Sequence, residues 1–560
     1  MALLRRLDGS HAGILPVACL PFLLGWGDGV AGQPDLPWEG PQTQPMALVG
    51  TEFVIASPHT SAIEAWFGSA VAVSGDRVLI GAPNAESLTD PADSGAVSLW
   101  NWETGGFTTA TGASGGAASD KWGTSVALSG TWLAWGGPGE DTSATNAGRV
   151  RIASWSGTTL TNLKQVVPGD AAAGDEFGTS VGLDGTTLIV GAPLSGPVGN
   201  DAGAAYVFVN TSNNWPQQAK LMASDSVAND RFGASVAVSG DIAVVGAPER
   251  TGVGAHSGVA YVFSRAGATW SQQGKLQPTG LKANDRFGVS VAVSGTTVVV
   301  GAHSSDGTGT GAAYVFVRSG NTWQQQAKLL AADGAVGDGF GISVSIAGEL
   351  AIIGANGCDD KGSMSGAAYV FRRSGTAWTQ QVKLVAGNGA PMDHFGLAVG
   401  ISGNKAIVGA RWSDSGGPQS GAAYGYVLKD PDGTVCTDAS NCHSGMCVDG
   451  VCCDTECGGG LWSDCLACSK KAGAAQDGVC GPANGSSCDD ANACTDKSVC
   501  NAGTCVAAGN VVCVAKDECH EVGVCNPADG VCSEPAKSDG VACSIGTCHA
   551  GVCTAEDAGA

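Results

Sequence analysis

The sequence has 560 residues, of which 87 are glycine and only 14% are charged, and its formal net charge is −23. Many glycines and few charges indicate turns and buried strands rather than long exposed helices. The acidic balance excludes a surface of clustered Lys and Arg that would bind phosphates, so no nucleic-acid partner is expected.

The first 31 residues have the organisation of a secretory signal. Arg5 and Arg6 precede an apolar run at 13–26, and small residues follow at 29–32. This order predicts a signal peptide at 1–31 and hence a secreted or cell-surface protein. Cys19 leaves a lipid anchor open as an alternative, although Pro16 stands where a lipobox usually has Leu. No other stretch is long and apolar enough to span a bilayer, so no membrane span is expected.

An isolated strand is predicted before the repeats, at 47–56, where the sequence reads "ALVGTEFVIA". An aromatic–glycine pair then occurs seven times, at spacings of 55, 55, 55, 55, 53 and 55 residues. Gly-Ala-Pro, or a variant of it, begins fourteen residues after each aromatic residue. Such regularity predicts a repeat architecture. The pairs begin at Phe67, Trp122, Phe177, Phe232, Phe287, Phe340 and Phe395.

Each unit contains four predicted strands. In the unit that begins at Phe232 they read "SVAVS" at 235–239, "IAVVGA" at 242–247, "GVAYVF" at 258–263 and "WSQQGKL" at 270–276. A two-residue turn with glycine second, such as Ser239-Gly240, joins the first two strands as a tight hairpin. The first two strands are apolar almost throughout and are expected to be inner strands. The outer two alternate and are expected to be half-exposed.

Four-stranded units repeated radially form a β-propeller. The seventh unit has a third strand at 421–427 but then runs into "KDPDG", so its fourth strand is missing. The strand at 47–56 lies at a suitable offset to complete that unit, cover its edge and close the ring. The expected fold class is all-β: a seven-bladed propeller at 32–430, closed by an N-terminal strand and followed by a small disulfide-rich domain at 431–560.

The Phe-Gly and Gly-Ala-Pro motifs, over roughly 47–430, resemble the FG-GAP repeats of integrin alpha-chain propellers, which also number seven. The resemblance implies a binding or adhesion role. In integrins the calcium loops join strands one and two and carry an Asp-x-Asp-x-Asp-Gly pattern, whereas here that connection is a two-residue turn in all seven units. Integrin-type calcium sites are therefore expected to be absent. No cofactor is predicted, and calcium bound elsewhere stays an open alternative.

Strand direction places the variable loops at one end of the units and the repetitive turns at the other. Loops on a rigid scaffold are common sites of function, and these loops are rich in acids and poor in bases. A solvated polar rim is one interpretation, and a site for a cation or a basic ligand is the other. The candidate ligand-binding acids are Glu86, Asp90, Asp93, Glu140, Asp141, Asp359, Asp360 and Asp414.

Two other residue types recur in the repeats. An Asp two residues before the aromatic residue is expected to accept backbone N–H bonds and fix the turn, a ring of metal ligands being the alternative. A Trp at the start of the fourth strand is expected to pack within the unit rather than to form a platform for sugars. The residues are Asp120, Asp175, Asp230, Asp285, Asp338 and Asp393, and Trp215, Trp270, Trp323 and Trp378.

The Gly-x-Ser-x-Gly pattern of hydrolase nucleophiles occurs as "GTSVG" at 178–182. A nucleophile elbow needs its Ser on a strand-to-helix turn, whereas Ser180 lies in a predicted strand followed by a hairpin. The same position reads "GASVA" at 233–237 and "GVSVA" at 288–292, so the pattern is a by-product of the repeat. No catalytic residues are predicted.

The region from 431 onward contains 20 of the 22 cysteines. An even number at this density in a secreted chain predicts a disulfide framework in place of a large core. The pair "CLAC" at 465–468 leaves half of a zinc site as an alternative, but no metal site is predicted. The cysteines expected to form disulfides, with the pairing left open, are Cys436, Cys442, Cys447, Cys452, Cys453, Cys457, Cys465, Cys468, Cys480, Cys488, Cys494, Cys500, Cys505, Cys513, Cys519, Cys525, Cys532, Cys543, Cys548 and Cys553.

These observations predict a secreted or cell-surface protein for recognition or adhesion, a monomer that binds an extracellular glycan or protein through its loop face. A propeller enzyme that acts on polysaccharide, a lyase or a glycosidase, is the alternative. A passive coat component whose loops bind no particular ligand is the third interpretation. The fold alone does not decide among them.

Overall fold

The computed structural model describes residues 52–58, 65–85, 93–112, 117–141, 143–156, 159–196, 201–305 and 309–430, and residues 436–555 apart from short gaps. The gaps lie at 437–438, 440–441, 443, 445, 449–450, 455–456, 458–465, 473, 484–486 and 503. The predicted signal peptide at 1–31, with Cys19, lies outside the described residues, as do Glu86, Asp90 and Cys465.

The described residues fall into two compact units, the first ending at Val427 and the second starting at Leu428. The described part of the first unit contains seven four-stranded antiparallel sheets. Sheets 1 to 6 each take four consecutive strands, and sheet 7 takes three consecutive strands and the N-terminal strand β1.

In chain order, the strands are as follows. Sheet 1 contains β2 (Ala70–Ser74), β3 (Arg77–Ala82), β4 (Ala96–Asn101) and β5 (Gly106–Gly112). Sheet 2 contains β6 (Ser125–Ser129), β7 (Trp132–Gly137), β8 (Arg149–Ser156) and β9 (Thr159–Val166). Sheet 3 contains β10 (Ser180–Asp184), β11 (Thr187–Ala192), β12 (Ala204–Val209) and β13 (Gln217–Leu221). Sheet 4 contains β14 (Ser235–Ser239), β15 (Ile242–Ala247), β16 (Val259–Ala266) and β17 (Thr269–Leu276).

The remaining sheets of this unit follow the same order. Sheet 5 contains β18 (Ser290–Ser294), β19 (Thr297–Ala302), β20 (Ala312–Ser319) and β21 (Thr322–Leu329). Sheet 6 contains β22 (Ser343–Ala347), β23 (Leu350–Ala355), β24 (Ala367–Ser374) and β25 (Ala377–Leu384). Sheet 7 contains β26 (Ala398–Ser402), β27 (Lys405–Ala410), β28 (Ala422–Val427) and β1 (Glu52–Ala56).

The core lies in the second and third strands of each sheet and between neighbouring sheets. In sheet 4 every residue of β15 is buried, as are the first five of β16, whereas β14 is only partly buried and β17 mostly exposed. The first strands of neighbouring sheets contact one another, as expected of inner strands. The expected burial is confirmed for the second strand, whereas the first is only partly buried and the third, expected to be half-exposed, is buried. The third strand has a partner on each side, whereas the first is an edge strand with one partner. Packing on both sides, rather than apolar composition alone, decides which strands are dry.

The repeated aromatic residue fills the core at the start of each sheet. Phe232 is fully buried, and its ring lies 5.6 Å from Tyr261 and 6.0 Å from Phe263, both on the third strand. Edge-to-face contacts at these distances are favourable for aromatic pairs. Trp122 is likewise buried and replaces the phenylalanine in sheet 2. The "AYVF" sequence of the third strand thus presents two rings to the Phe-Gly motif of its own repeat.

The two glycines of the repeated motif allow neighbouring sheets to approach closely. Within sheet 4, Gly233 N–H donates to the carbonyl of Gly246 at 3.0 Å. The carbonyl of Gly233 points at the preceding sheet, where a Cβ placed on Gly191 would lie 1.9 Å from that oxygen. Any residue other than glycine would therefore push the two sheets apart. The same close approach, 1.8–2.0 Å, is found at Gly81, Gly136, Gly191, Gly246, Gly301, Gly354 and Gly409.

Sheet 7 contacts sheet 1 through these same elements. The carbonyl that approaches Gly409 of sheet 7 belongs to Gly68 of sheet 1. Phe67 forms a parallel bridge with Gly421, just as Phe232 does with Gly203 in the preceding repeat. Ile407 of sheet 7 and Val78 of sheet 1 share one apolar cluster.

The N-terminal strand pairs with the last repeat, as the sequence predicted for the part of it that the structure describes. β1 runs antiparallel to β28, with Glu52 opposite Tyr426 and Ala56 opposite Ala422. The Glu52 carboxylate accepts hydrogen bonds from Gly387 N–H at 3.0 Å and from the Tyr426 hydroxyl at 3.1 Å. β28 therefore does not present an open edge to solvent.

The second unit is held together by disulfides rather than by an apolar core. Its small sheets contain β29 (Cys447–Val448) with β30 (Val451–Cys452), β31 (Leu466–Ala467) with β32 (Gly481–Pro482), β33 (Lys497–Asn501) with β34 (Thr504–Gly509), and β35 (Ala542–Cys543), β36 (Gly546–His549) and β37 (Val552–Ala555) together. A 3-10 helix spans Lys470–Ala472.

Nine disulfides join described cysteines of this unit, and Cys500 is also disulfide-bonded. The prediction of a disulfide framework is confirmed for every predicted cysteine in the described residues. The pairs are Cys436–Cys447, Cys442–Cys452, Cys453–Cys468, Cys457–Cys480, Cys488–Cys505, Cys494–Cys525, Cys513–Cys532, Cys519–Cys548 and Cys543–Cys553.

Candidate functional site

Two sets of loops meet at one edge of the sheets. The connection that enters the first strand of a repeat contacts the connection between strands two and three of the preceding repeat. Glu176 N–H donates to the carbonyl of Asn146 at 3.1 Å, and Phe177 N–H donates to that of Ala147 at 3.0 Å. We call this end of the sheets the loop edge, and the end with the two-residue turns the turn edge.

The turn edge is uniform. Glycine is the first residue of each two-residue turn, as in Gly240-Asp241 between Ser239 and Ile242, so the turn lies one residue later than the predicted Ser-Gly pair. Its φ lies between 53° and 57°, in the left-handed region that a tight hairpin requires. The predicted hairpins are therefore confirmed. The glycines are Gly75, Gly130, Gly185, Gly240, Gly295, Gly348 and Gly403.

At the loop edge, the recurring Asp fixes the turn before the first strand. Each carboxylate accepts a hydrogen bond from the backbone N–H three residues earlier, at 2.7–2.9 Å. This confirms the structural role predicted for these residues. Burial raises the pKa of Asp120, Asp175, Asp338 and Asp393, although the backbone bond acts in the opposite direction.

The recurring Trp packs within the sheets, as predicted. Trp270 and Trp378 contact apolar clusters of the core, and each indole N–H donates to a glutamine of the preceding sheet, at 2.8 Å and 2.9 Å. Trp323 packs against the cluster between sheets 4 and 5, and Trp215 is buried. These rings therefore pack against other residues of the protein itself.

Three of the candidate ligand-binding acids stabilise their own loops. Each accepts a hydrogen bond from the backbone N–H five residues later, at 2.7 Å for Asp141, 2.8 Å for Asp359 and 2.7 Å for Asp414. They occupy equivalent places in repeats 2, 6 and 7. A loop cap of this kind uses one carboxylate oxygen and leaves the exposed side chain on the surface.

The other described candidates are dispersed along the loop edge. Glu140 is buried, with Arg149 Nε 3.4 Å from its carboxylate. Asp360 pairs with Lys383 at 2.7 Å. Asp93 has a φ of 55°, and its carbonyl accepts a bond from Lys121 N–H at 3.2 Å. Glu140 and Asp360 therefore have side-chain ion partners, and Asp93 takes part through its backbone carbonyl.

Among the described residues, only cysteines lie close enough together in threes to suggest a metal site. Cys436, Cys442 and Cys452 form one group, and Cys519 with two neighbours forms the other. All of these sulfurs are in disulfides and so cannot act as thiolate ligands.

Ser180 of the hydrolase-like pattern has a structural partner. Its hydroxyl donates to the carbonyl of Gly233 in the next sheet at 2.8 Å. The equivalent serines Ser125, Ser235, Ser290 and Ser343 make the same bond at 2.7–2.8 Å. The serine of this pattern therefore forms a hydrogen bond between neighbouring sheets.

One position at the loop edge changes from repeat to repeat while its backbone stays constant. The residue directly before the aromatic has a φ between 53° and 69° in all seven repeats, yet glycine occurs there once. Side chains are disfavoured in this left-handed region, yet six of the seven repeats hold one there. The residues are Trp66, Lys121, Glu176, Arg231, Arg286, Gly339 and His394.

Where repeats 6, 7 and 1 meet, two of these residues, Trp66 and His394, belong to an aromatic–arginine cluster. We define it as Trp66, Asn356, His394, Arg411 and Trp412. The Arg411 guanidinium lies 5.3 Å from the Trp66 ring and 4.8 Å from the Trp412 ring. The His394 ring stands edge-on to Trp412, with centroids 4.6 Å apart, and its Nδ1 lies 3.2 Å from Asn356 Nδ2.

The nitrogens of this cluster are short of partners. Trp66 Nε1, His394 Nε2, Arg411 Nε and Trp412 Nε1 are buried and have no hydrogen-bond partner among the described residues. Burial lowers the pKa of Arg411. Burial also lowers the pKa of His394, and the charge of Arg411 acts in the same direction. Buried polar groups normally have partners, so each such group calls for an explanation.

Sequence reasoning missed this cluster. A signal for it existed, because Gly-Ala-Pro becomes "GAH", "GAN" and "GAR" at 301, 354 and 409. The substitutions place His303, Asn356 and Arg411 where the other repeats have proline. Their meeting with residues of the next repeat depends on the packing of one sheet on another.

In the described part of the chain, no helix is long and apolar enough to cross a membrane. No curated protein matches the sequence. Among solved structures, a chain in a crystal structure of a mitotic checkpoint complex matches with 13% identity and a TM-score of 0.44, covering 72% of this chain and 99% of that one.

A model of the FG-GAP repeat matches six stretches, which together make up just over half of the sequence: residues 60–100, 161–208, 215–263, 270–316, 323–371 and 378–426. These stretches leave out the repeat with Trp122, whose sheet nevertheless has the same strand order. In the structure, the Phe-Gly and Gly-Ala motifs are the paired elements that join each sheet to the next. The chain belongs to the FG-GAP repeat family.

Proposed function

We propose that the first unit is a closed seven-bladed propeller that recognises an extracellular ligand through its loop edge, and that it binds this ligand without chemical turnover. One observation carries the proposal: the two-residue turns keep glycine in one conformation in every repeat, whereas at the loop edge different side chains stand on a constant backbone. Variable side chains on a constant scaffold are suited to recognition.

Closure of the ring is supported by the contacts between sheets 7 and 1. They repeat the contacts at the other junctions: the Phe67–Gly421 bridge, the approach of Gly68 to Gly409, and the bond from Gly75 N–H to Ser402 Oγ at 3.3 Å. A closed ring also explains why an N-terminal strand is used to complete sheet 7.

An extracellular setting is supported by the composition of the chain. FG-GAP repeats suggest an extracellular protein for adhesion or recognition. The nine disulfides between described cysteines of the second unit fit an oxidising compartment, since such bonds rarely persist in the cytosol. We infer that the protein is secreted or displayed on the cell surface.

The test is a binding screen of the full chain against extracellular polysaccharides and proteins, with calcium and with EDTA. We expect saturable binding that survives EDTA, without depolymerisation of the polysaccharide. Shortened polysaccharide chains would overturn the proposal in favour of an enzyme. Absence of binding to any ligand would leave a passive coat protein as the better account.

A further inference from the structure

Arg411 differs from three other arginines of the loop edge, Arg149, Arg250 and Arg286. Each of these three lies within 4 Å of a carboxylate, at 3.4 Å, 2.5 Å and 3.5 Å. Arg411 has no ion pair among the described residues, and burial lowers its pKa. A half-buried guanidinium without a carboxylate is unusual, because desolvation of a charge is costly unless it is paired.

The surroundings of Arg411 hold it in place. Two indole rings, those of Trp66 and Trp412, lie against the guanidinium within 6 Å, a distance at which cation–π attraction is significant. The rings beside the cation restrict its motion, and they do not accept hydrogen bonds from the N–H groups in the plane of the guanidinium. Because a planar guanidinium presents paired N–H groups, it is suited to grip both oxygens of one oxyanion.

The other unpartnered groups of the cluster favour the same kind of ligand. Indole Nε1 and guanidinium Nε carry hydrogen and can only donate. Trp66, Arg411 and Trp412 therefore supply donors without acceptors. His394 adds a ring nitrogen that is unpartnered, on a residue only 8% exposed and positioned by Asn356 and Trp412. Donors gathered around a cation require a ligand rich in acceptor oxygens.

Further cations stand at the same position in other repeats. Lys121, Arg231 and Arg286 directly precede the aromatic residue, as Trp66 and His394 do, and all three are exposed. Glu176 and Glu249 are the acids that interact with them. Cations at three of the seven equivalent positions suit a ligand that carries more than one negative charge. The indoles of the cluster add apolar surface for the faces of sugar rings.

We propose that the aromatic–arginine cluster binds the carboxylate of an acidic sugar in an extracellular polysaccharide. The proposal rests on the recognition function proposed above and names its ligand class. Arg411 grips the carboxylate, and the N–H groups of Trp66 and Trp412 reach it after a small movement of side chains. The cations of the other repeats contact further sugar units along the polymer.

The experiment is a calorimetric titration of the full chain with a galacturonate oligosaccharide at about 0.15 M salt. Its fully methyl-esterified form and poly-glutamate serve as comparison ligands. We expect the acid form to bind. The affinity for the ester is expected to be lower by at least about tenfold, since esterification removes the charge. Poly-glutamate is expected to bind more weakly than the oligosaccharide as well.

Variants separate binding from folding. We expect Arg411→Ala and Trp412→Phe to weaken binding, by about tenfold for Arg411→Ala; Trp412→Phe keeps an aromatic side chain but loses the N–H together with part of the indole. The matched control is Arg265→Ala, because Arg265 also lies 5.3 Å from a Trp ring but is paired with Asp241 at 2.8 Å. That variant is expected to bind as the unmodified protein does.

Four results would overturn the proposal: no binding of the acid oligosaccharide, equal binding of the ester, unchanged binding by Arg411→Ala, or poly-glutamate binding as tightly as the oligosaccharide. The last would assign the site to acidic protein ligands. If the screen described above finds a ligand that Arg411→Ala still binds, only this inference fails. If neither experiment finds a ligand, the recognition function fails with it.

Discussion

Single residues of the repeat set the distance between sheets. The second-strand glycine leaves room for a carbonyl of the next sheet, and the first-strand serine bonds to that same carbonyl. Around Gly233 these partners are Gly191 and Ser180. The junction therefore depends on one missing Cβ and one hydroxyl. Both can be altered one at a time.

Gly191→Ala is expected to destabilise the protein strongly. The new Cβ would lie 1.9 Å from the carbonyl oxygen of Gly233, a backbone atom that cannot rotate away. Overpacking of this kind costs about 3 kcal/mol, measurable as a loss in the free energy of unfolding in urea. Gly169→Ala is the control, since nothing lies within 4 Å of a Cβ there. Equal stability of the two variants would contradict the close approach.

Ser180→Ala is expected to lower the free energy of unfolding by about 1 kcal/mol, the usual net value of one hydrogen bond. The reason is the loss of the 2.8 Å bond to Gly233. Ser271→Ala, on the exposed outer strand β17, should change stability little. The expectation for ligand binding is no change, because Ser180 lies within a sheet junction. A loss of any activity with unchanged stability would instead support a catalytic serine.

At the scale of elements, the turn before the first strand combines a buried Asp with a left-handed residue in six of the seven repeats. The Asp fixes the turn, and the next residue points its side chain to the loop edge. Elsewhere on this edge, carboxylates are paired with lysines. Lys383 Nζ lies 2.6 Å from Asp333. Burial of Asp333 alone would raise its pKa, but Lys383, together with hydrogen bonds from Tyr369 and the backbone, lowers it. The two kinds of Asp should respond to pH in opposite ways.

Acidification is therefore expected to separate Asp333→Asn from Asp393→Asn. The folded pKa of Asp333 lies below its unfolded value, so its contribution to stability is present above that value and lost as pH falls through the folded pKa. The pKa of Asp393 is raised by burial, so its contribution is present below the unfolded value and lost as pH rises through the folded pKa.

The measurement is urea unfolding of both variants and the unmodified protein between about pH 6 and pH 3. We expect the stability lost in Asp333→Asn to shrink as pH falls and that lost in Asp393→Asn to grow. Parallel changes in the two variants would contradict the assigned environments.

The strands, hairpins and Asp-fixed turns could be predicted from the sequence because each depends on residues close together in the chain. The hairpin needs one glycine, and the Asp bonds to an N–H three residues away. Burial of the third strand could not be predicted so easily, because it depends on the strand order in the sheet. The aromatic–arginine cluster could not be predicted, because it depends on the packing of one sheet on another. Trp66 and Arg411 are far apart in sequence, and the packing of sheet 7 on sheet 1 brings them together.

At the scale of the whole molecule, the account depends on sheets 7 and 1 forming an ordinary junction. At the turn edge, glycine N–H groups bond to the residue before the glycine of the preceding turn. Examples are Gly240 to Asp184 at 2.6 Å and Gly295 to Ser239 at 3.2 Å. Gly75 makes this bond to Ser402 of sheet 7. Ala347 is the exception, because the alanine side chain has no oxygen to accept a hydrogen bond from Gly403 N–H.

If the ring is closed, Ser402→Ala should cost as much stability as Ser239→Ala, roughly 0.5 kcal/mol for one partly exposed bond. Ala347→Ser should gain a similar amount by supplying the missing acceptor. Thermal unfolding of the three variants provides the comparison. A Ser402→Ala variant as stable as the unmodified protein, beside a destabilised Ser239→Ala, would indicate that sheets 7 and 1 are not joined in solution.

The central claim is that recognition takes place at the loop edge, and hydrogen exchange of the full chain with and without the galacturonate oligosaccharide tests it most directly. We expect the ligand to slow exchange of backbone amides next to Trp66, His394 and Arg411, and to leave the two-residue turns of the opposite edge unchanged. Slower exchange confined to the turn edge or to the disulfide-rich unit would contradict the account.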